Sequence, residues 1–221
     1  MTDYEAFLSR VLPSVPGCPD IAAVLAIRDA TIQLCKDSLI NQTDQNPIST
    51  VAFQADYDLE TPDQILFSQE RVFKIMTVWF KGTKLTPIAP DEVRDPSAYN
   101  QDIGGYTTTY GTPNAYTVKQ PLQFTLIPVP ATSIADCVTM RVAIVPTRTS
   151  TTCQDFLFED WAEHIASGAI ARLLTVPGKA YTNFALAPAH QARFQAGINF
   201  ARQQANRGRV RSDLSVQMRR I

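Results

Sequence analysis

The chain has 221 residues, a net charge of −1 and 45% hydrophobic residues, enough for one large domain or two small ones with a usable core. No run of about 18 apolar residues occurs, so no segment reads as a membrane-spanning helix. Cys18, Cys35, Cys137 and Cys153 form no Cys-x-x-Cys pair and follow no signal peptide, which predicts reduced thiols in a cytosolic setting rather than a disulfide scaffold or metal cluster.

In chain order, Tyr4 to Leu12 reads as a short helix with Phe7, Leu8 and Val11 on one side, closed by Pro13 and by Pro16-Gly17. A longer helix starts at Pro19, favoured at the first helical position, with Asp20 in the first turn where the helix dipole welcomes a negative charge. Ile21, Val24, Leu25, Ile32, Cys35 and Leu39 give it a core stripe. Arg28 interrupts that stripe, either as a snorkelling surface residue or as an ion-pair partner.

From about Pro47 the period turns to alternation for roughly a hundred residues. Val51, Phe53, Ala55 and Tyr57 alternate with polar neighbours. Val72 to Phe80 is apolar on both faces, as for a strand covered on both sides, and Lys81-Gly82 turns it. Leu122 to Leu126 and Val138 to Ile144 read as antiparallel strands with proline-marked ends. Between Phe80 and Leu122, Asp95 to Tyr116 has no clear period and reads as a long loop.

The last third returns to helical spacing. Phe158, Trp161, Ile165, Ala169 and Leu173 lie on one stripe of a helix that starts at Thr152, a hydroxyl N-cap with Asp155 three residues on. Pro177-Gly178 ends it, and a second helix opens between Asn183 and Pro188. There Phe194, Ile198, Ala201 and Ala205 form a stripe, with Phe200 well round the cylinder and marked for burial against a third helix or another subunit. From Arg202 onward six arginines face one acid, Asp213, so the remaining fourteen basic and twenty acidic residues leave an acidic body with a basic tail.

These elements predict an α+β fold: a helical bundle built from both termini, an inserted antiparallel β region and an extended C-terminal arm. The segments are 1–46 for the N-terminal helices, 47–150 for the β region, 151–205 for the C-terminal helical hairpin and 206–221 for the basic arm.

Catalytic constellations are not found. His164 and His190 are the two histidines, too few for most metal or acid–base schemes. Glu159, Asp160, Glu163 and His164 cluster on one helix, but the apolar stripe through Trp161 and Ile165 turns much of that cluster to solvent. There is no Gly-x-Ser-x-Gly, and Gly104-Gly105 lacks the pattern that cradles phosphate. Tyr99, Tyr106, Tyr110 and Tyr116 could stack on bases, yet they sit in an almost uncharged stretch where a nucleic-acid groove would interleave cations.

Six stretches carry a resemblance: VLPSVPGCPDIAAVLAIRDATIQLC near the start, WFKGTKLTPIAPDE, GTPNAY and LQFTLIPVP in the β region, FEDWAEHIASGAIARLL, and the arginine-rich ARQQANRGRVR. In these the chain resembles the head-to-tail adaptor (connector) proteins of tailed bacteriophages, those of short-tailed phages above all. The resemblance implies a non-enzymatic virion protein at the head-tail junction, without cofactor, metal or membrane, assembled in the host cytoplasm. It implies a homo-oligomeric ring, dodecameric in that family, beneath the portal protein and above a nozzle or tail-tube protein, with DNA passing through. Carried onto this chain, the portal-binding arm holds Arg207, Arg209, Arg211, Arg219 and Arg220. Phe200, Tyr106 and Tyr110 are the subunit-interface candidates. Two other readings stand beside it: a nucleic-acid-binding module using the basic tail, and a tail or gatekeeper protein one layer below the adaptor.

Overall fold

A computed structural model describes residues 1–59, 69–90, 101–102, 105–106, 110–120 and 123–207. The chain divides into two compact units, one made of Met1–Asn41 with Arg148 onward and the other of Gln42–Thr147.

In the first unit, strand β1 (Thr2–Asp3) leads through 3-10 turns and the four-residue helix α1 (Leu8–Val11) to helix α2 (Asp20–Ser38). Helices α3 (Asp155–Leu174) and α4 (Ala187–Arg207) complete it. Proline 19 is the extended N-cap of α2, one position earlier than its sequence role as first helical residue, and Leu39 closes the helix in the left-handed conformation with its N–H on the Cys35 carbonyl. The buried face of α2 takes only part of the expected stripe: Ile32 and Cys35 are buried, but Ile21 is 78% exposed and Leu25 is exposed as well, and Ala23, Ala26, Ile27, Ala30 and Leu34 make up the rest of the face. Small residues let a neighbouring helix backbone come close. The hydroxyls of Thr31 and Ser38 on that face donate to the Ile27 and Leu34 carbonyls one turn back, so their burial leaves no unpaired group.

Helix α3 packs against both α2 and α4 and buries a broad face, from Leu157 and Trp161 through Ile165, Ala169 and Ile170 to Leu174. Its start differs from the sequence expectation. Thr152 is not the N-cap: Thr152 and Cys153 form a strand against Asp3 and Thr2, and Gln154 takes the cap position. The Asp155 carboxylate accepts from the Met1 ammonium at 3.0 Å and from the Thr2 hydroxyl at 2.7 Å, which holds it below the usual carboxylate range. Before α4, the Asn183 side-chain oxygen accepts from the Ala185 and Leu186 N–H groups, so Asn183 organises the turn ahead of the helix proper.

Two glycines set the spacing of α3 and α4. A Cβ on Gly168 would meet the Phe194 ring at 2.8 Å, and one on Gly197 would meet His164 Cγ at 2.4 Å. Phe194 and His164 thus occupy the volumes those missing side chains leave.

In the second unit, β2 (Gln42–Asp44), β3 (Ile48–Thr50), β4 (Asp56–Asp58), β5 (Glu70–Phe80), β6 (Thr83–Lys84) and β7 (Thr86–Pro87) are followed by two two-residue strands, β8 (Gln101–Asp102) and β9 (Gly105–Tyr106), paired with each other. Then come β10 (Tyr110–Gly111), β11 (Ala115–Gln120), β12 (Gln123–Ile127), β13 (Val129–Pro130) and β14 (Ile134–Pro146), with β15 being the Thr152–Cys153 strand of the first unit. Strand β14 is the spine of a five-stranded sheet, bonded to β2, β3 and β5, with β6 beyond β5. A second sheet runs β4-β12-β11-β7. The two share one core of Tyr57, Val72, Val78, Phe80, Leu85, Phe124, Leu126, Val138, Met140 and Val142 among others. Lys81 and Gly82, both with positive φ, make the two-residue hairpin between β5 and β6, whose twist suits the strands it joins.

The expected α+β plan, a helical bundle built from both termini with an antiparallel β insert, is therefore corrected. The chain is β-rich: fifteen strands in five sheets stand against four α-helices among the described residues. A strand pair also braces the helix-bearing unit, and the pairings are mixed, because β10–β13 and β11–β7 run parallel. Alternation reveals long strands such as β14, but two- and three-residue strands are too short to show a period. The reading of Asp95 to Tyr116 as loop fails at β8, β9 and β10 for the same reason, and at Ala115 and Tyr116, which open β11; 95–100, 103–104 and 107–109 lie outside the described residues. Val51 to Ala55 is a turn rather than a strand, and β5 is not covered on both faces, since Arg71, Phe73 and Lys74 are exposed.

Candidate interaction surfaces

In the first unit, Phe200 lies on α4 and is 60% exposed, yet its ring packs against the Trp161 ring of α3, centroids 5.7 Å apart. It is thus an outward extension of the core rather than an isolated surface residue. Arg202, one turn before the helix end, donates from Nε and Nη2 to the Asp37 carbonyl near the end of α2, at 3.0 and 2.8 Å. A cation there also meets the negative end of the helix dipole. Arg207 is exposed in the last turn of α4, while Arg209, Arg211, Arg219 and Arg220 fall outside the described residues.

A polar cleft of about 390 Å³ is lined by Asp29, Ile32, Gln33, Lys36, Arg148 and Arg172. The Arg172 guanidinium donates to the Gln33 side-chain oxygen at 2.6 Å, and burial lowers its pKa against the opposing pull of Asp29. Sequence reading missed this cleft. Its cations come from positions 36, 148 and 172, and no local pattern announces their meeting. Arg28, left open between surface and ion pair, is half-buried with its Nε lacking a hydrogen-bond partner.

The acidic group on α3 is spread over exposed positions. Glu159, Asp160 and Glu163 face solvent, and Glu163 is ion-paired with Arg10. Among the described residues no three histidine, cysteine or acidic side chains are placed to hold a metal. Burial, with Arg193 nearby, lowers the His190 pKa, and His164 packs against Gly197 and Trp161.

In the second unit, Tyr110 is 46% exposed and meets the 67% exposed Phe53 edge to face, centroids 4.7 Å apart. Phe53 holds a left-handed backbone, φ 66°, which is unusual for a bulky residue. Its loop is pinned throughout. The Phe53 N–H donates to the Pro130 carbonyl at 2.9 Å and the Ala52 N–H to the Ser133 hydroxyl at 2.8 Å. The Tyr57 hydroxyl accepts from the Val51 N–H and donates to the Gln54 carbonyl at 2.8 Å. Sequence reading placed Phe53 in a strand, and nothing in the sequence marks a phenylalanine for positive φ. Tyr106 lies on β9, with its side chain outside the described part, and Tyr116 is buried in the shared core.

Beside β7, an edge strand of the β4-β12-β11-β7 sheet, lies a mainly apolar groove of about 290 Å³, lined by Phe73, Lys74 and Ile75 of β5, Pro87, Ile88 and Pro90, and Tyr116 to Val118 of β11.

No helix among the described residues is long and apolar enough to cross a membrane. What the two units present is a set of surfaces suited to contact with other macromolecules, on a chain whose sequence carries adaptor-like stretches at both ends. No curated protein matches the chain. The model of the SU10 adaptor protein family matches residues 2–217, nearly the whole length, and the chain accordingly belongs to that family of phage head-to-tail adaptors.

Proposed function

We propose that the protein forms a homo-oligomeric ring, of twelve copies as in related connectors, between the portal protein and a nozzle or tail-tube protein, with DNA passing through its centre. The observation that carries this reading is the family match over 2–217 on a chain whose last helix, ending in the exposed Arg207, leads into four more arginines. The segment 206–221 acts as an arm in which Arg207, Arg209, Arg211, Arg219 and Arg220 meet acidic portal side chains. Guanidinium groups suit that task because they bind carboxylates in a two-pronged geometry. The free chain is monomeric and assembles on the portal, where contact between arm and portal ties ring formation to a finished portal. Segments 1–46 and 151–205 contribute the helical face of each ring subunit, and 47–150 its tail-side and lateral surfaces.

The test mixes purified full-length chain with portal protein and looks for rings by electron microscopy. Wild-type chain forms rings, and chain lacking 206–221 does not bind. Full portal binding by the truncated chain refutes the arm. A nucleic-acid module would instead bind duplex DNA without portal, with affinity falling about tenfold or more between low and moderate salt.

A further inference from the structure

We propose that neighbouring copies join in the ring through the β unit, the Phe53–Tyr110 knob of one copy seating in the apolar groove of the next. The inference rests on the ring reading and specifies its lateral contact. Phe53 cannot retract, because the N–H groups of Val51, Ala52 and Phe53 are all bonded to fixed partners and Tyr110 buttresses its ring. A bulky side chain held outward by a left-handed backbone is a preorganised anchor, and anchors of this kind dominate interface energetics.

The groove fits such an anchor in chemistry and in position. Its walls are Phe73, Ile75, Pro87, Ile88 and Val118, beside β5 and β7, whereas the knob sits at the β10–β13 pair, with the Phe53 N–H on Pro130 and Tyr110 on β10. Two different surfaces with no residue in common give a head-to-tail contact, which closes into a ring when the rotation per copy allows, whereas a self-matching patch stops at a dimer.

Charge agrees with this pairing. Asp56 and Asp58 are exposed on β4 beside the knob, and Lys74 is exposed at the groove, with Arg71 on the same strand. Neither acid is ion-paired among the described residues; Asp56 accepts from the Thr125 hydroxyl and Asp58 from the Gln123 side chain. Seating the knob brings acids of one copy toward cations of the next, which sets register and speeds encounter.

The test uses full-length chain assembled on portal protein. Phe53→Gly removes the anchor at a position whose backbone favours glycine, so the fold is kept. Half-assembly of rings then requires about tenfold more protein or more, and Lys74→Glu shifts it the same way. Assembly of Phe53→Gly at the wild-type concentration overturns the proposal. Partner identity is read by disulfide trapping with added oxidant, the four native thiols being buried. The double variant Phe53→Cys/Ile88→Cys gives a ladder of covalent multimers, a mixture of the two single variants gives dimers, and each single variant alone gives none. Dimers from Phe53→Cys alone indicate knob-to-knob contact and overturn the proposal, as does the absence of a ladder in rings visible by microscopy, which leaves the ring reading standing. Failure of wild-type chain to form rings removes both.

Discussion

At Gly197 an added methyl group has no space, because it would lie 2.4 Å from His164 Cγ, well inside van der Waals contact and near the root of that side chain rather than its flexible end. Gly197→Ala should therefore destabilise the protein by about 1–3 kcal/mol, read by chemical unfolding, and the same change at Gly168 should act through the Phe194 ring. Phe53 presents the reverse case. Its side chain is largely exposed while its backbone is in a region that disfavours Cβ-bearing residues, so Phe53→Gly should leave stability unchanged or raise it by about 1 kcal/mol despite losing a ring contact. His190 adds a dependence on pH. Burial depresses its folded pKa below the ordinary 6.5, so the unfolded chain binds the proton more readily. Its contribution to stability is complete above that value and is lost as pH falls through it toward the lower folded pKa. His190→Gln should flatten this part of the stability profile in unfolding experiments between pH 7 and 5. None of these features is legible in the sequence: a glycine in a helix says nothing of what approaches it, and a phenylalanine says nothing of its φ.

Among the elements, the pinned turn before β4 is held in part by the Tyr57 hydroxyl. Tyr57→Phe removes the group that accepts from Val51 and donates to Gln54 and should cost about 0.5–1.5 kcal/mol, with faster amide exchange at Val51 as the local signature. Helix α4 depends on Phe194, fully buried against Gly168, and Phe194→Ala should cost about 3–5 kcal/mol. The long helices and the Lys81-Gly82 hairpin were readable because each carries a local cause: a sustained apolar period, a proline or acid at the start, a turn dipeptide. The buried face of α2 was not, since its alanines escape a search for large apolar side chains, and close helix approach selects for small ones. The short strands escaped because their partners lie far along the chain, as β10 with β13 or β1 with β15. Pairing at such range is a tertiary fact that local propensity does not encode.

For the whole molecule, family membership was legible where architecture was not. The resembling stretches span both ends and the β region, so they identify the chain even though the plan drawn from hydrophobic periodicity gave too much weight to helices. Charge separation was equally plain, and it carries a prediction. Replacing Arg207, Arg209 and Arg211 by glutamine should weaken portal binding at least about tenfold, with a shallower salt dependence than wild type in a binding titration. The four cysteines have a consequence of another kind. All are buried, two of them completely, and burial pushes the Cys18 thiol up, away from the reactive thiolate. A phage component is made inside a cell that keeps sulfur reduced and then spends its dormant life in air-exposed surroundings. With its sulfur sealed inside, the chain offers oxidants no exposed thiol, so a virion part can age outside its host without stray disulfides.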